Sequence, residues 1–458
     1  MKNMTLENIA KACGGTYHGM EADRIKEICD ITTDSRQAKA GSLFVAIKGE
    51  RVDAHRFIPA VFEQGALCVL CEDAPAQPKG AYIQVESTLV KDIAEFYRQQ
   101  FDIKVVGITG SVGKTSTKEI IASVLSEKFQ VLKTLGNFNN ELGLPLTIFR
   151  LREGDEVAVL EMGINHFGEM HRLSKVARPD VCVITNIGQC HLEFLGDRDG
   201  VLRAKSEIFD FVAPDGNIIL NGDDDKLATL REIKGIKPIF FGNESGRAIY
   251  ATDIRSAGIK GVWCNIHVGE ECFEVMVPIP GYHMVLNALA ATAVGRSLDM
   301  TNEEIKRGIE KLESLSGRFH IIEANGITVV DDCYNANPVS MKASLKVLND
   351  AETRKTAILG DMGELGEEEQ QLHEEVGAYL GTLDIQTAVC IGPLAAHLAE
   401  AAKKVKPQMQ IFTAGSVEEA MEHLPEWICK GDTILVKASH FMHFEKIVDA
   451  LTKNKQEE

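Results

Sequence analysis

Residues 105–117 combine glycines, a lysine and hydroxyl side chains at a spacing that suits a bound phosphate. Gly110 and Gly113 would let backbone N–H groups approach phosphate oxygens. Lys114 would reach the β- and γ-phosphates of a nucleoside triphosphate, and the Thr115 hydroxyl would bind Mg²⁺. We therefore predict a nucleotide site formed by Gly110, Ser111, Val112, Gly113, Lys114, Thr115 and Ser116.

This phosphate loop lies between a predicted strand and a predicted helix. Apolar residues 105–108 favour a buried parallel strand, and residues 114–129 have helical periodicity. The helix N-terminus would add a favourable dipole to the phosphate site. Ile108 stands where the general P-loop pattern has its first glycine, so the loop has a shorter form. A glycine-rich turn without a ligand is the alternative.

Two neighbouring strand ends carry side chains that could bind a metal ion. Glu161 follows the apolar run 157–160, and His191 follows the strand-like run 180–185. The carboxyl ends of parallel strands meet at one edge of a sheet, which is also where the phosphate loop lies. Carboxylate oxygens suit Mg²⁺. Alternatively, Glu161 caps or pairs at the sheet edge, and His191 is structural.

An unusually polar loop covers residues 137–145. The amides of Asn137, Asn139 and Asn140 can recognise sugar and peptide groups through hydrogen bonds. A cluster of Asx turns is the competing interpretation.

The last third of the chain has its own polar loops after strands. Residues 331–338 and 360–366 follow predicted strands, and 437–440 closes the last strand in the same way. Ligands bind at such strand ends in open α/β sheets. Arg318 precedes these loops, where it either touches phosphate across a cleft or is merely a linker charge.

A repeated strand-then-helix pattern must position these side chains. Strand-like runs recur at 42–47, 67–70, 105–108, 157–161, 180–185, 217–220 and 238–241, and again at 327–331, 356–360, 387–392, 410–413 and 433–436. Residues 258–277 favour antiparallel strands at a sheet edge, and 283–297 favour a helix. The pattern predicts an α/β fold.

The 458 residues provide room for about three domains. We predict a small N-terminal α/β domain, a central P-loop domain with a mostly parallel sheet, and a C-terminal Rossmann-like domain. Their predicted ranges are 1–99, 100–314 and 315–458. The tail 454–458 is expected to fray.

Composition excludes several classes of protein. A formal net charge of −18 disfavours general binding to nucleic acid or to an anionic membrane. Eleven unpatterned cysteines argue against a disulfide framework, and Cys68 and Cys71 lie in an apolar run as expected of core residues. Neither a signal core nor a membrane-length apolar run is found, so we expect a cytoplasmic chain without membrane insertion.

Taken together, these segments resemble the Mur ligase family over essentially the whole chain. Residues 33–36, 41–46 and 48–55 look like that family's UDP-sugar-binding domain. The loops 332–338 and 360–366 look like the branch that adds D-alanyl-D-alanine, and the D-Y-A-H-T-P and D-N-P-R segments of a sibling branch are absent. Folylpolyglutamate synthetases share the short phosphate loop but lack the N-terminal domain.

The resemblance also implies roles for particular residues. Thr115 and Glu161 would bind one Mg²⁺ and His191 a second, while Lys205 matches a lysine that is carbamylated in several relatives and would then also be a metal ligand. The catalytic residues would be Lys114, His191 and Lys205. ATP would also contact Asn287, Arg318 and Asp332, and the other substrates would contact Ser35, Arg36, Lys48, Asn137, Asn139, Asn140, Tyr334, Asn335 and Asn337.

The implied reaction joins D-alanyl-D-alanine to UDP-N-acetylmuramoyl-tripeptide through an acyl phosphate, with release of ADP and phosphate. Ala438 and His440 stand where the family often has Lys-Gly-Ser-Arg, so this chain departs from the family pattern in the loop that would contact the dipeptide. We expect a monomer. Two alternatives stay open: a sibling ligase that adds another amino acid, and a nucleotide-dependent switch or scaffold without ligase activity.

Overall fold

The computed structural model describes residues 1–49, 52–87 and 90–453, and its strands form sheets of five, nine and six strands. The predicted α/β fold of three units, with parallel or mixed sheets, is confirmed. The exact domain boundaries stay predictions. Glu50 and Arg51 of the predicted UDP-sugar motif, and the tail 454–458, lie outside the described residues.

Within its described residues, the first unit is a small sheet with three α-helices. Its strand order is β1-β5-β4-β3-β2, parallel except for the β1–β5 pair. Cys68 and Cys71 are fully buried in β4, as expected of core residues. The elements are α1 (Leu6–Ala12), β1 (Thr16–His18), β2 (Asp30–Thr32), β3 (Ser42–Val45), α2 (Ile58–Glu63), β4 (Cys68–Cys71), β5 (Ala81–Gln84) and α3 (Lys91–Arg98).

The second unit is built around a nine-stranded sheet. The elements of its first half are β6 (Lys104–Thr109), α4 (Lys114–Leu125), β7 (Val131–Lys133), α5 (Gly143–Ile148), β8 (Val157–Glu161), α6 (Glu169–Ala177), β9 (Val181–Ile184), α7 (Leu192–Leu195) and α8 (Arg198–Ser206). The predicted strand before the phosphate loop is confirmed as β6. The helix after it ends at Leu125 rather than at residue 129, because residues 126–129 close it with turns.

The remaining elements of this unit are β10 (Asn217–Asn221), β11 (Ile239–Gly242), β12 (Ile249–Ser256), β13 (Val262–Val268), β14 (Glu271–Val277), α9 (Tyr282–Ser297) and α10 (Asn302–Glu310). The strand order is β14-β13-β12-β11-β10-β9-β6-β8-β7, and every pair from β7 to β12 is parallel. The antiparallel edge predicted at 258–277 is confirmed, but it is a three-stranded meander that begins earlier, at β12.

The third unit is a six-stranded sheet in the order β15-β16-β20-β17-β18-β19, parallel except for β15–β16. Its first strand was not predicted, because half-exposed residues interrupt the apolar pattern there. The elements are β15 (His320–Ala324), β16 (Ile327–Asp331), α11 (Pro338–Asn349), β17 (Lys355–Gly360), α12 (Glu369–Gly381), β18 (Thr387–Ile391), α13 (Pro393–Val405), β19 (Gln410–Ala414), α14 (Val417–Trp427), β20 (Thr433–Lys437) and α15 (Glu445–Thr452).

The first two units share one hydrophobic core. Tyr97 on α3 is 1% exposed and packs near Phe149, and its hydroxyl donates to the carbonyl of Leu151 at 2.8 Å. Glu95 on the same helix pairs with Lys175 and Arg178 at the end of α6. Side chains from both units therefore bury one another. Within the described residues, every helix is too short or too polar to cross a bilayer.

Candidate active site

The phosphate loop follows β6 and depends on two glycines. Gly110 has φ +153°, and a Cβ there would lie 1.9 Å from the Thr185 hydroxyl. Gly113 has φ +82° and is the residue before α4. Neither position accepts a side chain without strain, so the chain turns directly from the strand into the helix and presents its backbone N–H groups to the cleft.

Two side chains after β9 hold this loop in place. The Asn186 amide accepts from the Val112 N–H and donates to the Val112 carbonyl, both at 2.9 Å, and Thr185 Oγ1 donates to the same carbonyl at 2.7 Å. Neither residue was predicted as part of the site. Their signal was present, because they directly follow the strand beside β6, where side chains meet the loop.

Lys114 is the first residue of α4, and its ammonium bends back over the loop. It donates to the carbonyls of Gly110 at 2.9 Å and Ser111 at 3.4 Å. Burial lowers the pKa of Lys114 from its ordinary value. The side chain is thus held within the loop that it would serve, close to where phosphate oxygens would lie.

Glu161 ends β8 and faces the first turn of α4. The side chain is 2% exposed. Thr115 Oγ1 donates to its Oε2 at 2.9 Å, and Asn139 Nδ2 donates to its Oε1 at 2.8 Å. Asn139 was predicted to contact substrate, whereas here it orients the carboxylate. A hydroxyl and a carboxylate side by side form the hard oxygen donor set that suits Mg²⁺.

No group of three or more His, Cys, Asp and Glu side chains that could hold a metal ion is found in the described part of the chain. Mg²⁺ at a phosphate site usually needs only one or two carboxylates, with water and phosphate oxygens as the other ligands. Thr115 and Glu161 therefore fit Mg²⁺ bound together with a nucleotide, and they do not form an all-protein cage.

His191 directly precedes α7 and Lys205 lies on α8, and the two side chains are close enough for the charge of Lys205 to act on His191. A second cavity of about 350 Å³ is lined by His191, Lys114 and Asn140, among others. Burial, together with the charges of Lys205 and Lys114, lowers the pKa of His191 to about 4. The imidazole is therefore neutral at pH 7 and can use a lone pair as a ligand.

Lys205 on α8 is 1% exposed. No carboxylate lies within ion-pair distance of it among the residues that the structure describes. Burial and the nearby charge of Lys114 lower its pKa to about 7. A large share of this side chain is therefore neutral amine near pH 7, the form that reacts with carbon dioxide.

A larger cleft, of about 600 Å³, opens beside the phosphate loop and reaches the third unit. Its lining includes the apolar and aromatic side chains of Phe241, Ile279, His283 and Met284, and the amide of Asn287. Burial lowers the pKa of His283. This histidine was not predicted as a site residue, although it begins the predicted helix. Of the predicted loop residues, Gly110 does not line this cleft, whereas the others do: Ser111, Val112, Gly113, Lys114, Thr115 and Ser116.

Asn287 is oriented by its neighbours. Its Oδ1 accepts from Thr117 Oγ1 at 3.0 Å, and its Nδ2 lies 3.3 Å from the sulfur of Met284. Both Asn287 and Thr117 line the cleft, so the α4 helix that begins at the phosphate loop also fixes this amide beside the loop.

The third unit contributes the opposite wall of the cleft. The Arg318 guanidinium stacks on the Tyr334 ring, 4.1 Å from its centroid. Asp332 accepts from Lys437 Nζ and from Ser344 Oγ, both at 2.6 Å. Lys437, which closes β20, was not assigned a role from the sequence, although its carboxyl-end position was noted. Arg318, Asp332 and Tyr334 therefore share the cleft with the phosphate loop, as the sequence predicts.

Four predicted substrate amides have different surroundings. Asn137 and Asn335 line the large cleft. Asn140 accepts from the N–H groups of Leu142 and Gly143, and this Asx turn is the alternative interpretation of that loop. Asn337 caps α11 by accepting from the Ser340 N–H, although it also lines the cleft.

Ser35, Arg36 and Lys48 lie in the first unit and line neither cavity. Arg36 is exposed and pairs with Asp34, and Lys48 pairs with Asp73 at 2.7 Å. The structure therefore does not bring these three residues together with the phosphate loop.

The chain is similar to known proteins over its full length. The Mur ligase family catalytic domain matches residues 27–102, the Mur ligase middle domain 108–295, and the Mur ligase glutamate ligase domain 317–440. The UDP-N-acetylmuramoyl-tripeptide–D-alanyl-D-alanine ligase of Bacillus subtilis (strain 168) is 36% identical over 461 residues, covering 99% of each chain.

Solved structures agree with this similarity. MurF from Acinetobacter baumannii has a TM-score of 0.89 and 35% identity, and the alignment covers 98% of both chains. MurF ligase from Thermotoga maritima in complex with ADP has a TM-score of 0.81 and 31% identity, over 92% of this chain and 96% of that one.

Proposed function

The chain belongs to the Mur ligase family, and we infer that it joins D-alanyl-D-alanine to UDP-N-acetylmuramoyl-tripeptide at the expense of ATP, a step of peptidoglycan synthesis. Full-length relatives that carry the name of this ligase support the assignment, and so does the ADP-bound relative. ATP is the nucleotide that the phosphate loop takes.

One structural observation carries the proposal. The phosphate loop and Arg318 with its Tyr334 partner face each other across a single cleft. A cleft between two units can bind ATP on one wall and hold the attacking amine on the other, and closing it would exclude water. A nucleotide switch has no need of the second wall.

A carboxylate does not react with an amine at neutral pH, so the carboxylate must first be activated. Transfer of the γ-phosphoryl group to the tripeptide carboxylate gives an acyl phosphate and ADP. The dipeptide amine then attacks the acyl carbon, and phosphate leaves. Lys114 would neutralise the charge that develops on the transferred group, and Arg318 would approach it from the opposite wall.

We propose that Thr115 and Glu161 hold Mg²⁺ and that His191 serves a second ion. The metal, when bound, would neutralise phosphate charge and orient the phosphoryl group for transfer. We further propose that Lys205 adds carbon dioxide to become a carbamate. Its burial and its lowered pKa supply the neutral amine, and the anion so formed would be a metal ligand near the Lys114 charge.

The remaining contacts are proposals of the same kind. Asn287 would bind adenine, and Arg318 and Asp332 would bind phosphate and ribose. Asn137, Asn139, Asn140, Tyr334, Asn335 and Asn337 would surround the two peptide substrates, and Ser35, Arg36 and Lys48 the UDP group. Some of these amides also hold protein groups, so ligand contacts would add to those roles.

We also propose a cytoplasmic monomer. ATP and UDP-linked precursors are cytoplasmic metabolites, and all eleven cysteines are free thiols, as a reducing compartment requires. The three predicted domains would bind UDP, ATP and the amino-acid substrate in chain order, with the ranges 1–99, 100–314 and 315–458.

The direct test is the mass of the product formed from UDP-MurNAc-tripeptide, D-Ala-D-Ala and Mg·ATP. We expect the pentapeptide, with one ADP released for each. Lys114→Ala should abolish phosphate release, while Lys128→Ala, which removes an exposed charge just beyond α4, should not. A product only with another amino acid would show a sibling ligase. No acceptor-dependent ATP hydrolysis would favour a switch.

A further inference from the structure

Lys118 is a buried charge that the chemistry above does not use. It lies one turn after Thr115 on α4, and its side chain is 1% exposed. Its ammonium donates to the Thr134 carbonyl at 2.7 Å and pairs with Glu119 at 2.9 Å. It also lies 3.9 Å from Oε2 of Glu161. A buried ammonium persists only where such partners offset its desolvation, so this position is built to hold a positive charge.

Thr134 links this charge to the backbone of Glu161. It directly follows β7 and is fully buried. Its hydroxyl accepts from the Glu161 N–H at 3.1 Å, and its own N–H donates to the Val159 carbonyl at 3.1 Å. Lys118 therefore reaches Glu161 in two ways, directly through its charge and indirectly through Thr134.

We propose that Lys118 is a positioning residue for the metal-binding carboxylate of Glu161. The ammonium ties the phosphate-loop helix to the ends of β7 and β8, so that the Thr115 hydroxyl and the Glu161 carboxylate stay side by side. The proposal rests on the proposed function, because it takes these two groups as the Mg²⁺ ligands.

The charges around Lys118 explain why it cannot be replaced by its neighbour. Two carboxylates, Glu119 and Glu161, face two lysines, Lys118 and Lys133. Lys133 pairs with Glu119, which is its one ion-pair partner among the described residues, and it is 39% exposed. Without Lys118, Glu161 would lose the counter-charge at 3.9 Å and retain the Lys114 ammonium, in a buried region that it shares with a second carboxylate.

Two opposite effects could follow from loss of this charge. If Lys118 only repels the metal, its removal should tighten Mg²⁺ binding. If it positions the ligand, its removal should weaken binding, because the carboxylate is no longer held beside Thr115. Groups that orient a metal ligand typically change metal affinity by tenfold or more.

The experiment compares variants of the full chain by their Mg²⁺ dependence. Lys118→Met should raise the Mg²⁺ concentration for half-maximal phosphate release about tenfold, with a smaller change in kcat at saturating Mg²⁺. Mn²⁺ titration of the ADP-bound protein by electron paramagnetic resonance should show the same weakening without turnover. Lys133→Met is the matched control, and we expect both of its metal constants to be unchanged.

Thr134 provides a second route if Lys118→Met does not fold, as judged by its melting curve. Thr134→Val removes the hydroxyl that accepts from Glu161, and it should also weaken Mn²⁺ and Mg²⁺ binding, whereas Thr134→Ser should restore both. Unchanged or tighter metal binding in folded Lys118→Met would overturn the proposal, as would equal weakening in Lys133→Met.

A negative result for Lys118 can be distinguished from a failure of the proposed function. If the wild-type chain makes no pentapeptide, the ligase assignment fails on its own measurement. The Mn²⁺ titration with ADP still decides whether Lys118 positions Glu161, because it needs neither peptide substrate.

Discussion

The two oxygens of Glu161 accept from different elements, one from Thr115 and one from Asn139. The pairing of Thr115 with Glu161 could be predicted, because they lie at the carboxyl ends of two neighbouring parallel strands, Thr115 just after β6 and Glu161 as the last residue of β8. The role of Asn139 could not, since a loop amide can equally face a ligand or a protein group. The burial of Lys118 could not be predicted either, because a lysine on a helix is usually exposed.

Gly110 is expected to be the least tolerant residue of the phosphate loop. Gly110→Ala should lower the free energy of unfolding by about 2 kcal/mol, because the new Cβ meets the Thr185 hydroxyl in a strained backbone conformation. It should also raise the KM for ATP. Gly188→Ala is the control, since its Cβ would make an ordinary 3.4 Å contact with Ser111. Equal melting temperatures for the two variants would contradict the steric argument.

His191 should make stability depend on pH in the acid range. Its pKa is about 4 in the folded chain, below the ordinary value of 6.5, so between these values the unfolded chain binds more protons. Stability from this group is complete above pH 6.5 and is lost as the pH falls toward 4. His191→Asn should therefore show a shallower decline of melting temperature over that window. Parallel declines would mean that the imidazole is accessible to protons.

Strands with strong apolar runs were predicted well, whereas a half-exposed strand and a helix end were not. β6, β8 and β9 have continuous apolar runs that leave little choice of structure. β15 is half-exposed along its length, and α4 ends early although apolar periodicity continues past it. Helix ends depend on local turns such as the Ser126 hydroxyl bond to Ala122, which periodicity does not report.

Asn337, a predicted substrate residue, also has a structural role at the start of a helix. It caps α11 ahead of Pro338, and Ser340 completes a capping box. Asn337→Ala should lower the free energy of unfolding by about 1 kcal/mol, whereas Asn337→Ser should preserve the cap. Thermal melting and the KM for D-Ala-D-Ala separate two roles. A raised KM in the stable serine variant would show that the amide also contacts the dipeptide.

At the scale of the whole molecule, the number of units and their class could be predicted, but their contacts could not. Periodicity identifies buried faces without saying which unit covers them. Tyr97 is an example, because its ring belongs to the first unit and its hydroxyl donates to Leu151 of the second. The same limit of sequence-based prediction applies to Ser35, Arg36 and Lys48, because their distance from the cleft could not be predicted.

Tyr97 also provides a test of the shared core. Tyr97→Phe should lower the free energy of unfolding by about 1 kcal/mol, because the buried hydroxyl bond to the Leu151 carbonyl is lost, although Arg152 still donates to that carbonyl. Since the first two units share one core, we expect calorimetry to show them melting together at the lower temperature. Tyr82→Phe, in the first unit alone, is the control. Separate melting of the first unit would mean that the core is not cooperative.

The antiparallel meander β12–β14 also affects how copies of this chain meet one another. A long parallel sheet that ended in a bare edge would offer a template for another strand. Here the sheet ends in β14, where Glu271 pairs with Arg296 and Asn302, and Glu274 pairs with Arg255. Charged side chains on a terminal strand discourage edge-to-edge association. The charged side chains of β14 therefore disfavour pairing of this edge with a strand of another copy.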